Sequence, residues 1–230
     1  MTAQSDADSA SAPPPSLIHL AGYWAPMVAF GVLTWLESQV PLEHYPLAYI
    51  GKAAIVTACL LAFRGPLADI RVKAGVIGPS VLIGLIVLVL WVGIDRLVPY
   101  QHLGTRTAFD PTPLRGSWLW FAFLAVRFYG LVVMVPVMEE IFWRSFMLRY
   151  LTQLDFRRLA VGTFSATALW VTVAGSALSH PEWLVAVVAS LVYSLWLRRT
   201  GSLFASIVAH ATTNAALGVY VLKTGSWQYW

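Results

Sequence analysis

The sequence predicts an all-α protein, a polytopic transmembrane helical bundle of about seven spans (six to eight), and three observations predict it. First, 58% of the 230 residues are hydrophobic and 11% are charged, where a soluble domain carries about 25% charged residues. A soluble chain of this size lacks the polar cover for so much apolar surface, which excludes a cytosolic globular enzyme. Disorder needs low hydrophobicity and high charge and is excluded as well. Second, the apolar residues gather into long segments almost free of charge, joined by short polar loops. Third, those segments show no alternation of apolar and polar positions. Backbone that faces lipid must satisfy its hydrogen bonds within the segment, so they are helices.

Taken in order, residues 1–16 are rich in Ser, Ala and Pro and carry acidic groups, which reads as a disordered tail. They lack the positive start of a secretory signal, so the first apolar segment is kept as a span and residues 17–230 form a single membrane domain. Leu17–Leu36 is free of Asp, Glu, Lys and Arg, and Tyr45–Phe63 carries only Lys52, expected to snorkel. Ala74–Ile94 is uncharged, and Gly116–Met138 is interrupted only by Arg127, read as structural. Leu159–Pro181 and Thr200–Leu222 are both uncharged, while Trp183–Leu197 is the shortest candidate. The longest loop, Asp95–Arg115, is punctuated by Pro99, Pro111 and Pro113, and Trp118, Trp183, Tyr220 and Trp230 sit near segment ends as interfacial aromatics do.

With the N-terminus inside, the inner loops hold Arg64, Arg71, Lys73, Arg149, Arg157, Arg158, Arg198 and Arg199, against Arg96, Arg106, Arg115 and Lys223 outside. Eight against four favours N-in, C-out. The formal charge of +4 is scattered, so no nucleic-acid footprint is indicated. A lone Cys59 allows no intrachain disulfide or cysteine zinc cluster and offers little case for a thiol nucleophile. There is no internal repeat, so an inverted-repeat transporter gains no support.

Ionisable groups are expensive inside a membrane and therefore informative. Glu139 and Glu140 are adjacent, so they point about 100° apart on a helix. Glu140 can pair with Arg144 one turn on, which leaves Glu139 without this arginine. A carboxylate in a poorly solvated place suits a general base; the plainer reading is a helix end holding its charges in the headgroups. His180 closes a stripe of Ser165, Thr172, Ser176 and Ser179, which reads as a cavity wall or as ordinary interhelical hydrogen bonding. Ser202, Ser206, His210, Asn214 and Gly218 recur at steps of four. His210 and Asn214 together can stabilise an oxyanion as neutral donors, or can act as interhelical glue.

The order and spacing of Glu139-Glu140-x-x-x-Arg144, a lone His180 and His210-x-x-x-Asn214 resemble the three-motif signature of the CPBP family, also called the Abi or type II CAAX prenyl protease family, over about residues 117–222. The resemblance implies an intramembrane glutamic endopeptidase. In it, Glu139 and His180 activate a water, His210 and Asn214 stabilise the oxyanion, and Glu140 with Arg144 holds the helix in register. It implies no cofactor, a membrane-associated and in some cases lipidated peptide substrate, and a multi-pass protein of the bacterial inner (cell) membrane. The surroundings of His180-Pro-Glu-Trp and the final Thr224–Trp230 look like the CAAX prenyl protease-related subgroup associated with exosortase systems and exopolysaccharide loci. One position departs from the pattern: Ser176 stands where the family places an aromatic, four residues before the histidine.

Two other readings stay open at this level. Two glutamates and two histidines can bind zinc with a water in the open position, although there is no His-Glu-x-x-His helix and Arg144 competes for Glu140. A non-catalytic scaffold or immunity-type protein is the other. Straight spans also pose a geometric problem, because they set Glu139 and His180 about 30 Å apart. Tilt, a later start of the fifth helix or a re-entrant segment after Met138 brings them together; otherwise the catalytic reading fails.

Overall fold

The computed structural model describes residues 17–104 and 108–230; the expected N-terminal tail, 1–16, lies outside them. Among the described residues there are seven helices and no strands: α1 (Leu17–Glu37), α2 (Tyr45–Ala62), α3 (Ile77–Leu97), α4 (Trp118–Tyr150), α5 (Ala166–Leu178), α6 (Trp183–Thr200) and α7 (Leu203–Thr224). Four stretches, Leu42–Ala62, Ala74–Leu97, Trp118–Tyr150 and Leu203–Thr224, are long and apolar enough to cross a membrane. Large apolar side chains on the outside, such as Val89 at 70% and Trp35 at 64% exposure, need no protein partner when the surrounding solvent is hydrocarbon.

Local chemistry sets the helix ends. Ser117, Ser165 and Ser202 each cap the N-terminus that follows, with their Oγ accepting from Trp120, Ala168 and Ala205 N–H. Gly201 closes α6 in the left-handed region (φ 60°), so Ser202 can start α7 at once and the two helices form a tight hairpin. α4 and α7 are the hub: α7 packs on α3, α6 and α4, and α4 also meets α2 and α1. Gly84 lets α3 and α7 approach closely. A Cβ there would stand 2.4 Å from the Ala209 carbonyl oxygen, and the Gly84 carbonyl accepts from Thr213 Oγ1 at 2.8 Å.

Two spans differ from expectation. The fourth does not stop at Met138 but runs 33 residues to Tyr150, because its two carboxylates and Arg144 are accommodated inside the protein rather than at a headgroup layer. The fifth, expected over Leu159–Pro181, is helical only over Ala166–Leu178, 13 residues. Gly162 at φ 94° and the Ser165 cap hold the preceding stretch out of the helix. At about 1.5 Å per residue α5 reaches about 20 Å, short of the ~30 Å hydrocarbon layer. Lys52, expected to snorkel, is instead 5% exposed and pairs with Glu37 of α1.

α4 carries two π-helical stretches, Gly130–Met134 and Glu140–Met147. In the first, Val135 N–H reaches back to the Gly130 carbonyl. The next carbonyl, Leu131, would then need the N–H of residue 136, which is a proline without one. The fold leaves that acceptor for a side chain on another helix, and α7 supplies it.

Candidate active site

A cavity of about 450 Å³ lies among the helices, and all seven contribute to its wall. Its lining includes Leu103, Pro181 and Trp230, with Leu103 N–H bonded to the Pro181 carbonyl, and Glu139 and Arg144 of α4. The loop after α3 and the C-terminal turn are tied together by Asp95, whose carboxylate accepts from the Tyr100 and Tyr229 hydroxyls. Burial, then the Asp95 contact, push both phenols well above their ordinary range, so they stay protonated donors at physiological pH.

The adjacent glutamates have separate environments. Glu139 is 6% exposed and lines the cavity with no hydrogen bond or ion pair to any described residue. Glu140 is fully buried, and its Oε1 receives Arg144 NH1 at 3.3 Å and His210 Nδ1 at 3.0 Å. Arg144 sends NH2 to Ser190 Oγ at 3.1 Å and lies over the Tyr193 ring. Tyr193 in turn stacks on His210, with centroids 5.1 Å apart and planes at 20°, and donates to Thr213 Oγ1 at 2.7 Å. One buried network therefore fixes the His210 ring in position and orientation. A carboxylate accepts only, so Nδ1 carries a proton and Nε2 is the nitrogen left to act on a ligand.

Asn214, one turn beyond His210, donates through Nδ2 to the Leu131 carbonyl at 3.0 Å, the acceptor freed by Pro136 and the π-helical stretch. A primary amide has a second N–H, and Asn214 borders the cavity. His180 follows α5 in the turn before α6, half-buried. Its Nδ1 donates to the Ser176 carbonyl at 2.9 Å, and the Trp91 indole meets its ring edge-on at 5.9 Å. Where the expected pattern has an aromatic at 176, the aromatic contact to His180 comes from α3.

Glu139, Arg144, His180, His210 and Asn214 thus share one cavity, while Glu140 stands behind it. Glu139 and His180 line the same cavity, although straight spans would set them about 30 Å apart. The extended α4 carries Glu139 as an interior residue, and the late start of α5 shortens the other path. Three of the expected polar positions are spent on structure: Ser165 and Ser202 are caps, and Ser206 donates to the Tyr193 carbonyl at 3.3 Å. Among the described residues no group of three or more His, Cys, Asp and Glu side chains could hold a metal ion.

Residues 117–216 match the family described as Rce1-like, type II CAAX prenyl endopeptidase. The chain carries an Rce1-like region. No curated protein and no solved structure matches at a significant level. All six residues singled out by spacing fall inside the Rce1-like region, whereas Trp91 and the cavity-lining Glu37, Lys52 and Trp230 fall outside it. The likeness of that region to a protease family, together with four helices long and apolar enough to cross a membrane, points to membrane residence.

Sequence reasoning missed Ser190, Tyr193 and Trp91. The first two left a signal: with Ser194 they form a polar strip at helical spacing on an apolar segment. Trp91 left none, because an aromatic near the end of a span reads as interfacial.

Proposed function

We propose that the protein is an intramembrane endopeptidase that hydrolyses a peptide bond of a membrane-associated substrate, lipidated proteins included, through a water activated by Glu139 and His180. The single observation that carries this reading is the convergence of a bare carboxylate, an imidazole of fixed tautomer and two further polar groups on one cavity. The nearly buried positions of Glu139 and His210 lower the local dielectric and strengthen the electrostatic contacts made there.

Glu139 takes a proton from the water while His180 orients it, and the hydroxide adds to the scissile carbonyl. The second Asn214 N–H is one oxyanion donor. His210 is the other, with a modification of its role as a neutral donor: Nδ1–H is committed to Glu140, so Nε2 can donate only from the doubly protonated ring. Glu140 then faces two cations, Arg144 and the imidazolium, through the same oxygen. Glu139 then returns the proton to the departing amine, which closes the cycle without a covalent intermediate. Glu140 and Arg144 are positioning residues. On this reading the chain is a multi-pass protein of the bacterial cell membrane, and its partners are the bilayer and a lipidated or membrane-embedded peptide.

The test compares purified wild type with Glu139→Gln in nanodiscs on lipidated and membrane-embedded peptides, with and without chelator. Cleavage that survives chelation and disappears in Glu139→Gln is the expected result. Cleavage lost to the chelator would move the reaction to a metal, and equal cleavage by both proteins would remove Glu139 from it.

A further inference from the structure

A second cavity, of about 600 Å³, lies among the loops at one end of the bundle, where α2 and α4 end and α7 begins. It shares no lining residue with the candidate active site. Its wall holds five cations, Arg71, Lys73, Arg149, Arg157 and Arg158, and one carboxylate, Asp69. Arg71 and Lys73 lie between α2 and α3, and Arg157 and Arg158 between α4 and α5, so only the fold brings the cluster together.

The nearby carboxylates are already engaged. Asp69 Oδ2 receives Arg149 NH2 at 2.6 Å and the Tyr23 hydroxyl at 3.2 Å, and it also accepts from the Ser145 hydroxyl. Arg149 is buried, and its other donors go to the Ser145 and Leu159 carbonyls. Arg158 Nε pairs with Asp155 at 2.5 Å. Among the described residues, the side chains of Arg71, Lys73 and Arg157 make no ion pair or hydrogen bond. Three positive charges thus stand uncompensated in the wall. The start of α7, at Ser202 and Leu203, adds the positive end of a helix dipole.

A ligand for such a site is anionic, and the position says of which kind. Short loops between membrane helices lie at the headgroup layer. Apolar side chains are also bare here: Val72 in the wall is 78% exposed, and Leu154, three residues before Arg157, is 73% exposed. Exposed apolar groups beside unpaired cations fit a molecule with an acidic head and hydrocarbon tails better than a soluble anion. Arg and Lys both bind phosphate oxygens, and basic pockets at this depth suit phosphodiester headgroups.

We propose that this cavity binds the headgroup of an anionic phospholipid, with Arg71, Lys73 and Arg157 holding its phosphate oxygens. Three unpaired cations exceed the charge of one phosphodiester, so a diphosphatidyl lipid should bind more tightly than a lipid with one phosphate. The proposal requires a chain that resides in a bilayer and does not rest on the peptidase reading.

The test uses the full chain purified in detergent, with lipid binding read by native mass spectrometry against diphosphatidylglycerol, phosphatidylglycerol and phosphatidylcholine. Wild type is compared with Arg71→Gln/Arg157→Gln and with Arg64→Gln/Arg199→Gln. The second pair removes the same charge at the same end of the bundle but outside the cavity. Affinity should fall in the order in which the three lipids are named. A cation near the membrane surface contributes about fivefold to the binding of anionic lipid, so the cavity pair should weaken it about 25-fold and the control pair less than about threefold. Equal losses in the two pairs would reduce the effect to general surface charge and overturn the proposal, as would equal binding of all three lipids. Inorganic phosphate, titrated as competitor, should displace the lipid poorly. Displacement at the lipid's own affinity would assign the cavity to a soluble anion and overturn the lipid site. Both cavity arginines are exposed and unpartnered, so the melting temperature without lipid should match wild type. If the double variant unfolds, Arg71→Gln and Arg157→Gln singly, expected at about fivefold each, carry the same test. Lipid binding is read without any substrate, so its outcome stands whether or not the chain cleaves peptides.

Discussion

The two ionic clusters beside the cavity are built to opposite rules. In the α4–α7 cluster one carboxylate, Glu140, meets Arg144 and His210, and Arg144 is further held by Ser190 and Tyr193. In the α1–α2–α4 cluster one carboxylate, Glu37, is paired by Lys52 while Arg127 is held by aromatic rings. The first orders an imidazole at the cavity wall; the second brings two cations and one carboxylate to the same cavity. The same contrast repeats between neighbours in sequence, because Glu139 is bare and Glu140 is enclosed. Buried charge with partners fixes geometry, and buried charge without them is available for chemistry.

The largest expected effect breaks the comparison at the bare group. Glu139→Gln keeps the side chain's shape and removes the base, so peptide cleavage should fall by about 10²–10⁴. Its melting temperature in nanodiscs should stay close to wild type, since no partner loses a contact. Glu140→Gln is the counterpart. It removes the charge facing Arg144 and His210 and should cost about 3–5 kcal/mol of stability, read from denaturant unfolding in detergent micelles. If the two variants exchanged these phenotypes, the division between the glutamates would be wrong.

Asn214→Ala sharpens the picture at the oxyanion side. Removing one such donor should lower kcat by about 10²–10³, and the orphaned Leu131 carbonyl should cost about 1–3 kcal/mol besides. A stability loss with unchanged kcat would leave Asn214 as helix glue only. The smallest effect lies where α3 packs on α7. Gly84→Ala would bring a Cβ within 2.4 Å of the Ala209 carbonyl oxygen, forcing α3 from α7 at a cost of about 1–3 kcal/mol. His210 should then shift little, because its ring is held from α4 and α6.

Much of this was legible in the chain itself. Hydrophobic composition and long uncharged segments determine a helical membrane protein, since hydrocarbon permits no other backbone without a closed barrel. Spacing determined that Glu140 and Arg144 could meet and that Glu139 would point elsewhere, because both follow from the turn of one helix. The length of α4 was not legible. A charge cluster looks like a helix end until the partners that bury it, Ser190, Tyr193 and His210, are known, and they come from α6 and α7. Nor could the sequence show the pairing of Lys52 with Glu37, the ring contacts of Arg127 with Tyr49 and Trp230, or the use of the Leu131 carbonyl by Asn214. Helical periodicity states which residues share a face. Only the packing of helices distant in the chain decides which face meets which, and therefore which charges are matched and which remain open.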